Sequence, residues 1–180
     1  MGAPKACLEL GGRPLIAYPI ESIVGAGLDL VVIAKPGSEL PPLDCPVIRE
    51  ADPAVHPAAG MIAALRATQT PVVVLPCDMP FVPPELVAFL AALDAQAALA
   101  CVAGRFQPLL ARYAPSAHAV LEAAIERGEP LRDAIGALDP LILRDVDLAR
   151  FGEPERIAFN VNDRDDLAAA ERLMAVAHSR

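Results

Sequence analysis

An α/β fold, a mostly parallel sheet covered by helices on both faces, is predicted by three observations. Short apolar runs of β character alternate with helical patterns along most of the 180 residues. The strongest of these runs, Val72-Val73-Val74-Leu75, is continuously apolar, as a strand covered on both faces is. Hydrophobic residues make up 54% of the chain and charged residues 21%, which is enough to bury a core and argues against disorder. The length suits one domain spanning residues 1–180, with no internal repeat, linker or low-complexity segment.

The elements follow in order. Leu8 to Leu10 is a short extended run ended by the turn Gly11-Gly12. Pro14 to Gly25 reads as a helix in which Pro19 marks either a kink or the true first turn. Asp29 to Ala34 is a buried strand ended by Lys35-Pro36-Gly37-Ser38, and Cys45 to Arg49 is a shorter one. After a Pro-rich loop come a helix from Ala58 to about Thr68, the strand Val72 to Leu75, a helix from Pro83 to Leu93 and a strand from Ala97 to Val102. Gln107 to Tyr113 is extended, and Ser116 to Arg127 is helical with Ser116 as its N-cap. Leu131 to Leu138 is a short helix and Leu141 to Val146 a strand. The last helix opens at Asp163, whose side chain caps the N–H groups near Asp166, and continues with apolar residues at helical spacing: Leu167, Ala170, Leu173, Met174 and Ala177.

Charge narrows the partners. The net charge is −8, no run of Lys or Arg occurs, and Lys5 and Lys35 are the only lysines, which excludes an ordinary nucleic-acid binder. An acidic chain that binds a polyphosphate must do so with few cations, backbone N–H groups and a metal. Cys7, Cys45, Cys77 and Cys101 are widely spaced with no CxxC pair, so they read as reduced thiols of a cytoplasmic protein. No apolar stretch reaches membrane-spanning length and the amino terminus has no signal-peptide pattern.

The most informative stretch is Val72-Val73-Val74-Leu75-Pro76-Cys77-Asp78-Met79-Pro80. An apolar strand delivers Asp78 into the loop beyond its carboxyl end, where open parallel sheets place their ligands. A carboxylate there can hold Mg²⁺ against phosphate oxygens; it can equally cap a turn before Pro80. The local pattern leaves both readings open.

Several segments in order resemble the molybdenum cofactor guanylyltransferases. Pro76-Cys77-Asp78-Met79-Pro80-Phe81 is similar to their metal-binding signature, and His56-Pro57-Ala58-Ala59-Gly60-Met61 to their Gly-Pro-Leu-Ala-Gly-Ile turn, with His56 where Gly is usual. Lys5-Ala6 with Leu8-Glu9-Leu10-Gly11-Gly12-Arg13-Pro14-Leu15 resembles their Lys-Ala-x-Leu-x-Leu-x-Gly-Lys-Pro-Leu segment. Gln107-Pro108-Leu109 and Phe159-Asn160-Val161-Asn162 resemble their acceptor-side strand and Asn-x-Asn ending.

The resemblance implies a Rossmann-like sheet of the nucleotide-diphospho-sugar transferase type and assigns roles residue by residue. Lys5 and Gly2 would contact the nucleotide phosphates, with Lys5 also serving catalysis. Asp78 would bind Mg²⁺ and the nucleotide, and Asn162 would complete the metal site. Glu50, with Asp52 as its rival, would accept hydrogen bonds from the N1–H and N2–H edge of guanine. Gln107, Pro108 and Asn160 would face the acceptor. At the level of residues alone, Lys5 and Glu50 also read as solvated surface charges, and Asn160 and Asn162 as turn residues before a helix.

Three departures qualify it. Ala34 stands where the family often has Asn near the base, which weakens the preference for guanine, and Asp163-Arg164 replaces Thr-Pro. The family also opens with a β-strand and a loop, Leu-Ala-Gly-Gly-x-x-x-Arg-Met-Gly-x-x-Lys, of which Met1-Gly2-Ala3-Pro4-Lys5 matches only the tail. The resemblance therefore implies a sheet whose first strand is missing between Asp29–Ala34 and Val72–Leu75, and phosphates that face Lys5 and Arg13 rather than a glycine loop.

The expected function is Mg²⁺-dependent transfer of GMP from GTP to molybdopterin, weak in the chain as given. Two alternatives stand beside it: the same chemistry with CTP and molybdopterin or with a sugar or lactyl phosphate acceptor, and a non-catalytic binding paralogue. Neither a nucleic acid nor a membrane is an expected partner, and the expected state is a monomer or weak homodimer.

Overall fold

The structure, a computed structural model, describes residues 4–50 and 58–177. Gly2, Asp52, His56 and Pro57 lie outside the described residues. A single 3-10 turn at Lys5–Cys7 precedes a two-residue hairpin, β1 (Glu9–Leu10) and β2 (Arg13–Pro14), turned at Gly11 and Gly12, both at positive φ. Helix α1 (Ala17–Gly25) starts three residues later than the pattern predicts. Pro19 thereby falls in its first turn, where an N–H would have no partner inside the helix, and nothing is kinked.

β3 (Val32–Ala34) and β4 (Val47–Arg49) pair in parallel. Helix α2 (Ala58–Thr68) leads to β5 (Val72–Val74), and α3 (Pro84–Ala92), with Pro84 at its first helical position, leads to β6 (Ala97–Val102). β7 (Arg105–Tyr113) returns antiparallel to β6. Helices α4 (Ala117–Glu126) and α5 (Leu131–Gly136) follow, then β8 (Leu141–Leu143). Two one-turn helices, α6 (Asp145–Leu148) and α7 (Pro154–Ile157), precede the terminal α8 (Arg164–Ala177).

The fold is α/β with helices on both faces of a central sheet in the order β5-β7-β6-β8. β6 and β8 are parallel, while β7 runs against both β5 and β6, so the sheet is mixed. One face packs on α2, α4 and α5 through Met61, Leu65, Leu99, Tyr113 and Leu121. The other packs on α3 through Leu86, Leu90, Ala98, Ala100 and Leu110. β6, buried at every position, is the strand covered on both faces. No helix among the described residues is long and apolar enough to cross a membrane.

Three local expectations change. Ser116 has helical backbone angles and its side chain makes no cap hydrogen bond, because the preceding turn, Ala114 to Ala117, is closed by backbone instead. The strand expected up to Val146 stops at Leu143, where Asp147 turns back to accept from the Arg144 N–H and begins α6. Val72–Val74, expected to be fully covered, is only half-buried. Its free edge explains why: among the described residues β5 pairs with β7 alone and β3 with β4 alone.

Between these two unpaired edges lies a cleft of about 740 Å³, lined by Leu28 to Ile33 on one side and Val72 to Cys77 on the other. Helix α2 begins beside the carboxyl end of β3, where a Cβ at Gly60 would stand 3.6 Å from Ile33, and ends at the start of β5. β3 and β5 therefore run the same way along the cleft.

β7 carries a second irregularity. Leu99 and Ala100 are adjacent on β6, yet their partners are Ala111 and Gln107, so Pro108, Leu109 and Leu110 bulge from the ladder. A proline has no N–H to give to a ladder, which suits it to this place. The bulge is held from within: the buried Tyr113 hydroxyl donates to the Pro108 carbonyl at 2.7 Å, and burial pushes the phenol far above its usual range, so it stays a donor. Tyr113→Phe is expected to leave that carbonyl short of a partner, at about 1–2 kcal/mol. For a domain of this size that is a fall in Tm of roughly 2–8 °C in a calorimetric scan. An unchanged Tm would show that the hydroxyl does not hold the bulge.

Candidate functional site

Three segments far apart in sequence meet at the carboxyl end of β5. The 3-10 turn after Pro4 presents Lys5, whose Nζ donates to Asp78 Oδ2 at 2.9 Å and to Asn162 Oδ1 at 2.8 Å. These partners are 73 and 157 positions away. The Lys5 side chain is 40% exposed and Asp78 18%, so the pair sits at a mouth open to solvent, with its carboxylate the more sheltered member.

Each partner is positioned by backbone. Asp78 follows Pro76 and Cys77, and its carbonyl accepts the Val161 N–H at 2.9 Å, tying the loop after β5 to the segment before α8. Asn162 is held by a reciprocal cap: Asp163 Oδ1 accepts from the Asp166 N–H at 2.9 Å, while Asp166 Oδ2 accepts from the N–H groups of Asn162 and Asp163 at 2.8 and 3.3 Å. Asp163 thus caps α8 as its sequence suggests, and the same device aims the Asn162 amide at Lys5. Behind Asp78, burial first and the neighbouring carboxylate second push the Cys77 thiol up, which keeps it protonated and unreactive at neutral pH.

The other sequence-predicted residues lie apart from this cluster. Glu50 follows β4 and rests on the first turn of α2, where its Oε1 would be 3.2 Å from a Cβ at Gly60. The absence of a side chain at Gly60 is what admits the carboxylate to the positive end of that helix. Glu50, Gly60 and Cys77 together close the carboxyl end of the cleft. Gln107 and Pro108 stand at the start of the β7 bulge, one strand across from β5. Asn160 turns its amide back to the Ala158 carbonyl at 3.3 Å and does not join the Lys5 cluster. Ala34 is buried and offers a base no polar group.

Arg13, expected near the phosphates, is engaged elsewhere: it pairs with Glu21 and lies over the Tyr18 ring, 5.0 Å from its centroid. The hairpin between β1 and β2 turns it toward α1, which among the described residues leaves Lys5 as the cation of this site.

The cluster supplies two oxygen donors, from Asp78 and Asn162, and one ammonium. Among the described residues no three His, Cys, Asp or Glu side chains converge, so an ion held here would need oxygens from a bound phosphate and from water.

Comparison with known proteins fits this frame. Residues 1–141 match the sequence model of the MobA-like NTP transferase domain. The chain is 33% identical over 181 residues to the molybdenum cofactor guanylyltransferase of Cereibacter sphaeroides, an alignment covering 96% of this chain and 89% of that one. Its fold superposes on the molybdopterin-guanine dinucleotide biosynthesis protein A of Archaeoglobus fulgidus with a TM-score of 0.80 at 27% identity, covering 97% and 92% of the two chains. The 2-C-methyl-D-erythritol 4-phosphate cytidylyltransferase of Thermus thermophilus shares the fold with a TM-score of 0.71 at 23% identity, over 96% and 94% of the two chains.

Proposed function

The chain belongs to the MobA-like NTP transferase family, and from that premise we propose that it transfers GMP from GTP to molybdopterin with Mg²⁺ held at Asp78. It is a nucleotidyltransferase; the identity of nucleotide, acceptor and metal is the proposal. The observation that carries it is the meeting of Lys5, Asp78 and Asn162 at the carboxyl end of β5.

The donor set fits Mg²⁺, which takes one or two protein oxygens and completes its shell with phosphate and water. Asp78 and Asn162 would hold the ion, which when bound would neutralise charge on the phosphates and on departing pyrophosphate. An acceptor phosphate oxygen attacks the α-phosphorus in line, the bond from that phosphorus to the bridging oxygen breaks, and pyrophosphate leaves without a covalent enzyme intermediate. Lys5 releases Asp78 and donates to the phosphates, a point charge that needs no bidentate geometry. Glu50 accepts from the Watson–Crick edge of guanine. The reading makes this a cytoplasmic monomer or weak homodimer, with no nucleic-acid or membrane partner.

Because Ala34 contributes nothing polar, the choice of base rests on Glu50, and CTP is the competing nucleotide. The deciding experiment is pyrophosphate release with molybdopterin and each of GTP, CTP, ATP and UTP in the presence of Mg²⁺. Preference for GTP supports the proposal; preference for CTP transfers it to the cytidyl reaction, and no release with any nucleotide returns the chain to a binding role.

Lys5→Ala tests the cation separately. A charge-assisted hydrogen bond to phosphate contributes about 1.5–3 kcal/mol, so GTP affinity measured by titration calorimetry should fall by more than an order of magnitude. Equal affinity in variant and parent would make Lys5 only a partner of Asp78.

A further inference from the structure

Lys5 Nζ lies between Asp78 Oδ2 and Asn162 Oδ1, 2.9 Å from one and 2.8 Å from the other. These two side chains are the ones that fit an ion, so the ammonium and an ion compete for the same pair of oxygens. Two of the three N–H donors of the ammonium are committed there. Asp78 has a second carboxylate oxygen, but a dication on it would face the ammonium across a single carboxyl group. Even at the dielectric of water, repulsion between two charges and one at such spacing weakens binding by about tenfold or more.

The backbone under Lys5 is fixed while its side chain is free to swing. The 3-10 turn is closed by the Cys7 N–H on the Pro4 carbonyl at 3.0 Å and the Leu8 N–H on the Lys5 carbonyl at 3.1 Å. Ala6 within it is buried, and its carbonyl accepts from the Ile16 N–H. From this base a flexible four-carbon stem carries the ammonium to the open mouth. Asp78 and Asn162 are held independently of Lys5, one through Val161 and the other through the cap of α8. Movement of one side chain is therefore enough to open the oxygen pair.

We propose that Lys5 is a latch on the ion site. Its ammonium keeps free divalent ions off Asp78 and Asn162 until a triphosphate, with several negative charges against the one of Asp78, draws it aside. Lys5 thereby sets the order of assembly: the oxygen pair opens to an ion only with nucleotide in place, and closes again once pyrophosphate has gone. The inference rests on Asp78 and Asn162 as the ion's ligands, and it gives Lys5 a role before any nucleotide arrives. One substitution at Lys5 then moves two affinities in opposite directions, weaker for triphosphate and tighter for the free ion. A lysine that only braced the loop would lower both.

The test is titration of the full chain with Mn²⁺ in the absence of nucleotide, followed by the paramagnetic resonance signal of the free ion. Lys5→Met, which keeps the length of the side chain without its charge, should bind Mn²⁺ about tenfold or more tightly than the parent. Lys5→Arg keeps the charge and should behave as the parent. Adding Asp78→Asn to Lys5→Met should remove the gain. GTP added to the parent should raise its affinity for Mn²⁺, since the triphosphate opens the same pair that the substitution opens. Mn²⁺ binding by Lys5→Met within twofold of the parent overturns the latch, and so does a gain that survives Asp78→Asn. If the parent nonetheless binds Mn²⁺ through Asp78 once GTP is present, the ion site of the proposed function stands without the latch. An Asp78-dependent gain in Lys5→Met, with no effect of GTP on the parent, upholds the latch and defeats that ion site. The Lys5 side chain is partly exposed and its ion pair adds little to stability, so the variants should melt with the parent, and that scan accompanies each titration.

Discussion

Asp78→Ala is expected to abolish the Mg²⁺ dependence of nucleotide binding and to lower turnover by roughly 10²–10³-fold, while leaving the fold intact. The magnitude follows from removing the one carboxylate that could anchor an ion on the phosphates, where preorganised charge does most of the work of phosphoryl chemistry. The fold should survive because the structural bond of this residue is made by its backbone: the Asp78 carbonyl, not the carboxylate, holds the Val161 N–H. Among the described residues the carboxylate bonds only to Lys5, in a partly exposed pair that contributes little to stability. The check is a titration of GTP affinity against Mg²⁺ in variant and parent, with Tm followed beside it. Mg²⁺-dependent affinity that persists in the variant would remove Asp78 from the site.

How much of this was legible in the sequence differs by element. β6 and the helices α2, α3 and α8 follow from apolar period and from proline and aspartate at their starts, because local chemistry and burial agree there. The cap at Asp163 was legible for the same reason, since both halves of it lie within four residues. The loop after β5 could be found as a motif, but Asp78 could be a turn cap or a ligand until Lys5 and Asn162 were seen to meet it. That meeting depends on contacts across most of the chain, which no window of sequence contains.

Other features left weaker traces. The antiparallel course of β7 is set by the tight turn at Ala103 and Gly104, both at positive φ, and a hairpin signal there was available in Gly104. Glu50 was legible as an acid after a strand, but its seat on α2 depends on a glycine ten positions later. Arg13 was expected at the phosphates for want of another cation near Lys5, whereas the hairpin turns it onto Glu21 and Tyr18.

The largest expected gain comes from filling the cleft between β3 and β5. An in-frame extension ahead of Met1, an apolar strand of about five residues followed by a glycine-rich loop, is expected to raise Tm by roughly 5–10 °C and to increase Mg²⁺-dependent pyrophosphate release. The cleft has the attributes of a strand site: two facing edges that lack a second ladder partner among the described residues, running the same way, with apolar lining from Leu28 to Ile33 and from Val72 to Cys77. A strand laid parallel to both would give each edge its ladder. It would also bury apolar side chains alternately against α2 and against α1 and α3, worth about 1.5–3 kcal/mol each before the cost of ordering about 1–2 kcal/mol per residue. Its carboxyl end would emerge beside Glu50, Gly60 and Cys77, and a loop from there reaches Pro4 and Lys5 over the mouth that holds Asp78. Glycines in that loop would bring backbone N–H groups to the phosphates beside Lys5. A charged strand of equal length serves as control, since lysine at alternate positions cannot enter an apolar cleft. Equal stability and turnover in the parent, the apolar extension and the charged extension would show that the cleft is not a strand site.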